Sequence, residues 1–209
     1  MCLLPCGYGT IDGMKSKYTH KDIITLPDKR LREKSTKVHV ITDETLKLID
    51  NMLAATLDWE DSRPHEIAVA LAAVQIGAME RVVIIREDFE NKENKNFVVL
   101  INPEIVKYEG KIVTDKEGCL SVKDVYGDVP RHEKVRVRAI DINGNEVRIK
   151  SPNPFVARIL QHEIDHCRGK CFVDHITHEK NAFYILTDSG DLEPAKYEKV
   201  QKMGILLDD

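Results

Sequence analysis

The sequence predicts an α+β fold in which antiparallel strands pack around one central helix carrying His162-Glu163-Ile164-Asp165-His166. Three observations support it. Asn143-Gly144 separates two alternating runs, 135–140 and 147–149, which reads as a β-hairpin. "RVVIIR" and "FVVLINP" are short, β-branched and bounded by charged or turn residues, so both read as strands. Residues 153–169 begin with a capping asparagine followed by a proline and end on a glycine, the punctuation of a helix.

The elements follow in order. "DKRLREKST" reads as a short helical turn after Pro27. Thr42 or Asp43 caps an amphipathic helix whose apolar positions are Leu46, Ile49, Leu53 and Leu57. "SRPHE" breaks that pattern, and "EDFENKENKN" is a solvated loop between the two strands. In the central helix Phe155, Ile159, Leu160 and Ile164 supply the buried positions. "DLEPAKYEKVQKMG" reads as a weaker carboxyl-terminal helix with Lys196, Lys199 and Lys202 on one face. The domain plan is a disordered amino-terminal extension over residues 1–20, its first 13 residues unusual in composition, and one catalytic domain over 21–209.

Composition narrows the function. The formal charge of −4 offers no excess of positive charge for a phosphate backbone, which argues against direct nucleic-acid recognition. No apolar run is long enough to span a bilayer, and the amino terminus lacks the pattern of a secretory signal. Five cysteines, an odd number without an export signal, suggest a reducing cytoplasm with free or metal-bound thiols. Cys2, Cys6, Cys167 and Cys171 read as small buried hydrophobes, since their spacing suits a second metal poorly.

On a helix, residues four apart lie about 40° apart around the axis and roughly 6 Å apart along it, so His162 and His166 can reach one ion. Glu163, turned about 100° from His162, can touch water at that ion without ligating it. The competing reading is chance spacing in a chain with eight histidines. Burial weighs against it, because unpaired imidazoles and the carboxylates of Glu163 and Asp165 are costly to desolvate. The third ligand is open on spacing alone: Cys119 stands upstream in "KEGCLSVKD", and His175 and His178 stand downstream.

Three segments, "AVALAAVQ" (68–75), "EGCLS" (117–121) and "QHEIDH" (161–166), resemble the three motifs of the peptide deformylase family in order. The likeness extends to "LPDKRLREKS", "LINPEIV" and "VPRHEKVRVRAID" and spans residues 24–173. It implies an enzyme that removes the formyl group from the initiator methionine of new polypeptides. It implies Cys119, His162 and His166 as metal ligands with water in the fourth position, and Glu163 as the group that moves the proton. It further implies oxyanion donors at the Gln75 side chain and the Leu120 backbone N–H, with Glu117 pairing Arg131 to hold the loop. Asp165 then either orients a ligand histidine or faces solvent, and His175 and His178 become surface or supporting residues.

The resemblance points to ferrous iron, with zinc, nickel or cobalt able to occupy the site, to N-formyl-methionyl peptides as substrates, and to transient ribosome docking in some members. Val69, Phe155, Ile159 and the carbon face of His162 would line the methionine pocket, although Phe155 and Ile159 read equally well as plain core. One departure concerns the strand that pairs with the peptide, where Ala68 and Ala70 stand in place of the family's glycines. Val122, Lys123 and Asp124 follow the second motif, a stretch where proline is common, and Cys167 stands where leucine is usual. Two other readings compete: an amidase for another N-acyl substrate, and a metal-stabilised binding protein without activity.

Overall fold

The structure, a computed structural model, describes residues 16–63 and 66–207. The first helix, α1 (Asp43–Asp61), is closed by Thr42, whose hydroxyl accepts from the Thr45 N–H while the Thr45 hydroxyl accepts from Thr42. These reciprocal bonds satisfy amide groups that the helix itself cannot. Its predicted apolar stripe faces inward through Ile49 and Leu53, with Met52 and Thr56 buried beside them.

Among the described residues the strands form one antiparallel sheet of seven: β1 (Ala70–Ala72), β2 (Val82–Arg86), β3 (Phe97–Cys119), β4 (Val122–Ile140), β5 (Glu146–Lys150), β6 (Phe183–Leu186) and β7 (Leu192–Pro194). The order is β1-β2-β3-β4-β6-β7, with β5 paired to the far end of β4. Residues of β2 alternate between two apolar layers, as strand geometry requires. Val83 and Ile85 face one helix, and Val82 and Ile84 face α1 on the opposite side.

That other helix is α2 (Pro154–Cys167), buried from Val156 to Cys167. Asn153 caps it by accepting from the Val156 N–H at 2.9 Å, and Pro154 takes the first helical position. Just beyond its end comes Gly169, whose φ of +72° suits glycine, and a Cβ there would lie 2.5 Å from the Arg32 carbonyl oxygen. So α2 is fixed at both ends across the β1–β4 face. A third apolar cluster, around Val125, Phe172, Phe183 and Val200, closes the other end of β4.

Some details differ from the sequence expectation. The 135–149 hairpin forms, and Asp141 N–H donates to the Asn145 carbonyl while Gly144 N–H donates to that of Asp141. The loop is therefore Ile142-Asn143-Gly144, with Gly144 at φ +84°. The carboxyl-terminal segment is not one helix. Its first part is the strand β7, and α3 (Tyr197–Lys202) is only a short helix, because Leu192 to Pro194 pair with β6 instead. Of the expected amino-terminal extension, residues 1–15 lie outside the described residues. Residues 16–20 are tied to α1: Ser16 Oγ donates to Asn51 Oδ1 at 2.9 Å, and His20 Nδ1 lies 2.6 Å from Asp58. No helix among the described residues is long and apolar enough to cross a membrane.

Candidate metal centre

Cys119 is the last residue of β3, and only Leu120 and Ser121 separate it from β4. The turn leans on Gly118, since a Cβ there would come within 2.4 Å of the Tyr126 ring. α2 crosses beneath this tip. One ligand atom each of Cys119, His162 and His166 lie within 4.8 Å of one another. The Cys119 Sγ is 3.3 Å from His166 Nε2, and the two imidazole centroids are 5.0 Å apart. His175, the alternative third ligand, instead places its Nε2 2.7 Å from Asp165.

Charge around the cluster is arranged by Glu117, two residues before the cysteine. Its Oε2 lies 2.9 Å from His162 Nδ1, its two oxygens accept from Arg131 at 2.8 and 3.0 Å, and Arg158 donates to Oε1 at 2.8 Å. Burial alone would raise the Glu117 pKa, but the bonds to His162 and Arg131 hold it well below the usual carboxylate range. With Nδ1 committed to Glu117, the other ring nitrogen of His162 is left on the Cys119 side, where an ion would lie. Burial pushes His166 down to about 3, which keeps it in the neutral form that binds metals. A soft thiolate beside two imidazoles fits a divalent transition metal.

Glu163 is buried, and its Oε2 has no hydrogen-bond partner. Burial, only partly opposed by the charge on His162, pushes its pKa up to about 7. It lines a cavity of about 350 Å³ together with Gln75, Cys119, Leu120 and His162. Gln75 is held by a short 3-10 turn (Ala73–Ile76). Its Oε1 accepts from the Ala72 N–H at 2.8 Å, while Nε2 donates to Ser121 Oγ at 3.2 Å and stands 3.5 Å from the Cys119 Sγ.

Val69, Ala70, Phe155 and Ile159 line the same cavity. Phe155 is not the core residue its helical position suggests, being 49% exposed and set edge-on against Phe89. Asp165 does not touch a ligand histidine. It accepts from Arg131 and bonds His175, and these partners outweigh burial to hold it at about 2. The carboxylate that meets a ring nitrogen of the histidine pair is instead that of Glu117, at His162 Nδ1. Arg158 and Ser121 escaped the sequence reading. Arg158 betrays itself only as a cation four residues before His162, on the same face of a buried helix.

Comparison with known proteins bears on this geometry. The polypeptide deformylase family matches residues 20–182. A peptide deformylase of Brachyspira hyodysenteriae is 38% identical over 158 residues, covering 75% of this chain and 80% of that one. The peptide deformylase of Rhodopseudomonas palustris is 37% identical over 188 residues, covering 88% and 97%. The chain belongs to the peptide deformylase family.

The crystal structure of an Ehrlichia chaffeensis deformylase in complex with actinonin superposes with a TM-score of 0.66 at 32% identity, covering 90% of this chain and 98% of that one. The α+β fold is thus that of the deformylases. As a member, the chain is a hydrolase that removes the N-formyl group from the amino-terminal methionine of nascent polypeptides. Deformylases are metalloenzymes, and the cysteine–histidine cluster is the group here that could hold their metal.

Proposed function

We propose that Cys119, His162 and His166 hold one ion, ferrous iron in the working enzyme with zinc, nickel or cobalt able to replace it, and that residues 21–209 act as one catalytic domain. The convergence of one sulfur and two imidazoles beside an unpartnered carboxylate carries this reading. Such an ion, when bound, acidifies water and polarises a carbonyl.

The chain's own groups supply the remaining steps. Glu163 accepts the proton of the attacking water and returns it to the departing amine, a role suited to a carboxyl whose pKa burial has moved close to neutrality. The Gln75 amide and the Leu120 N–H donate to the oxygen that gains charge at the formyl carbon. Gln75 is already immobilised by Ala72 and Ser121, so little reorganisation is needed. Glu117 and Arg131 keep the loop and His162 in place.

The methionine side chain enters the cavity between Val69, Phe155 and Ile159. The peptide then runs along the outer edge of β1, where Ala70 lies. A reducing cytoplasm fits the unpaired Cys119, Cys167 and Cys171, and the exposed Lys196, Lys199 and Lys202 on and beside α3 suit transient contact with the ribosome.

Metal-loaded protein incubated with formyl-Met-Ala-Ser should release formate, and absence of formate where a control deformylase turns the peptide over contradicts the proposal. Ala68 and Ala70 favour one second reading, an amidase for a different acyl group. Acetyl and unblocked peptides assayed in parallel separate the two.

A further inference from the structure

Glu60, in the last turn of α1, and Arg86, at the end of β2, form an ion pair at 2.6 Å with side chains 1% and 0% exposed. Burying such a pair costs desolvation that its mutual attraction only partly returns, so it is weak as a source of stability. Its remaining bonds point elsewhere. Glu60 Oε2 accepts from the Ala68 N–H at 2.9 Å, and Arg86 Nε donates to the Ala68 carbonyl at 3.1 Å. Both backbone groups of Ala68 are therefore taken by side chains. The Arg86 backbone N–H donates to the Val69 carbonyl at 2.7 Å, and its guanidinium also reaches the carbonyl of Asn94 at 2.6 Å.

These bonds fix the residues on which the edge of the sheet depends. β1 ends the strand order, and Ala70 stands opposite Ile85. Val69 and Arg86 make the hydrogen bond one step earlier. In an antiparallel ladder the next pair is then unbonded, so the N–H and C=O of Ala70 turn away from β2 toward the cavity that Ala70 lines. The Ala68 side chain is wholly buried, which leaves no slack for the strand to shift.

We propose that the Glu60–Arg86 pair is a positioning device: by gripping both backbone groups of Ala68 it sets the height at which the free edge of β1 meets the peptide. This rests on the reading that a formylated peptide extends along β1. The pair touches neither the substrate nor the metal ligands, and it acts on peptide binding rather than on hydrolysis.

The test compares steady-state kinetics of metal-loaded wild type with a Glu60→Leu/Arg86→Met double variant, which removes both charges together, and with Glu60→Gln, which keeps an acceptor for Ala68. Loss of the grip should raise KM for formyl-Met-Ala-Ser about tenfold, the equivalent of one or two lost backbone hydrogen bonds, with kcat and metal content nearly unchanged. KM for N-formylmethioninamide, which has no further residues to lay along the edge, should move less. Glu60→Gln should restore the wild-type KM.

If the double variant does not fold, Arg86→Lys takes its place. It keeps the charge opposite Glu60 but loses the guanidinium fork at Ala68, and it should raise KM for the longer peptide. Unchanged KM in an active variant, or a fall in kcat alone, overturns the proposal. A wild type that releases no formate overturns the deformylase reading as well, so the two failures are distinct.

Discussion

Glu117 Oε2 lies 2.9 Å from His162 Nδ1, joining the end of β3 to the middle of α2 through one buried carboxylate. The same group pairs with Arg131 and Arg158, both buried. Replacing it by glutamine keeps the volume but weakens the orientation of His162, and metal affinity should fall about 10–100-fold in chelator competition. Glu117→Ala should be harsher, costing about 3–5 kcal/mol in denaturant unfolding, because Arg158 loses its carboxylate and Arg131 keeps only Asp165. Unchanged metal affinity in Glu117→Gln would show that the carboxylate is not orienting the ligand.

Glu163→Ala should lower kcat by about 10²–10⁴-fold while metal content stays at the wild-type level. The unpartnered Oε2 makes the substitution structurally mild, so the fold should survive. A variant that retained full formate release would remove Glu163 from the chemistry.

Phe155 and Ile159 line one cavity but differ in burial, at 49% and 8% exposed. Phe155→Ala should raise KM for formyl-methionyl peptides with a stability change below about 1 kcal/mol. Ile159→Ala should raise KM and also cost about 2–5 kcal/mol, since it empties core volume. Parallel KM and chemical-denaturation measurements check both.

Asp50, on α1, is 8% exposed, and its Oδ2 has no hydrogen-bond partner. Burial raises its pKa. The folded chain then holds this proton more tightly than the unfolded chain does, so the group's contribution to stability improves as pH falls through the raised value and is poorest above it. Asp50→Asn should stabilise the protein by about 1 kcal/mol at pH 7, with the difference shrinking toward pH 4. Denaturant midpoints across that range give the sign directly.

Local chemistry was legible in the sequence, and long-range partnership was not. Asn153, Pro154 and Gly169 mark the ends of α2, and the spacing of His162 and His166 places both rings on one side of it. The choice of Cys119 over His175 came from family resemblance, because nothing local says that β3 ends above α2 while the turn after α2 carries His175 to Asp165. Neither alternative for Asp165, orienting a histidine or facing solvent, anticipates its partner Arg131, which arrives from the middle of β4. Phe155 has the helical phase of a core residue, yet it lies in the first turn, over an open cavity that periodicity cannot reveal. Local pattern extends the carboxyl-terminal helix too far, because the pairing of Leu192 to Pro194 with β6 is decided by the sheet.

X-ray absorption at the metal edge of the loaded enzyme tests the central claim most directly. In the zinc-loaded enzyme one sulfur scatterer at about 2.3 Å and two imidazole nitrogens near 2.0–2.1 Å are predicted, with the sulfur shell lost in Cys119→Asp. A coordination shell without sulfur in the wild-type protein, or one unchanged by that substitution, contradicts the account.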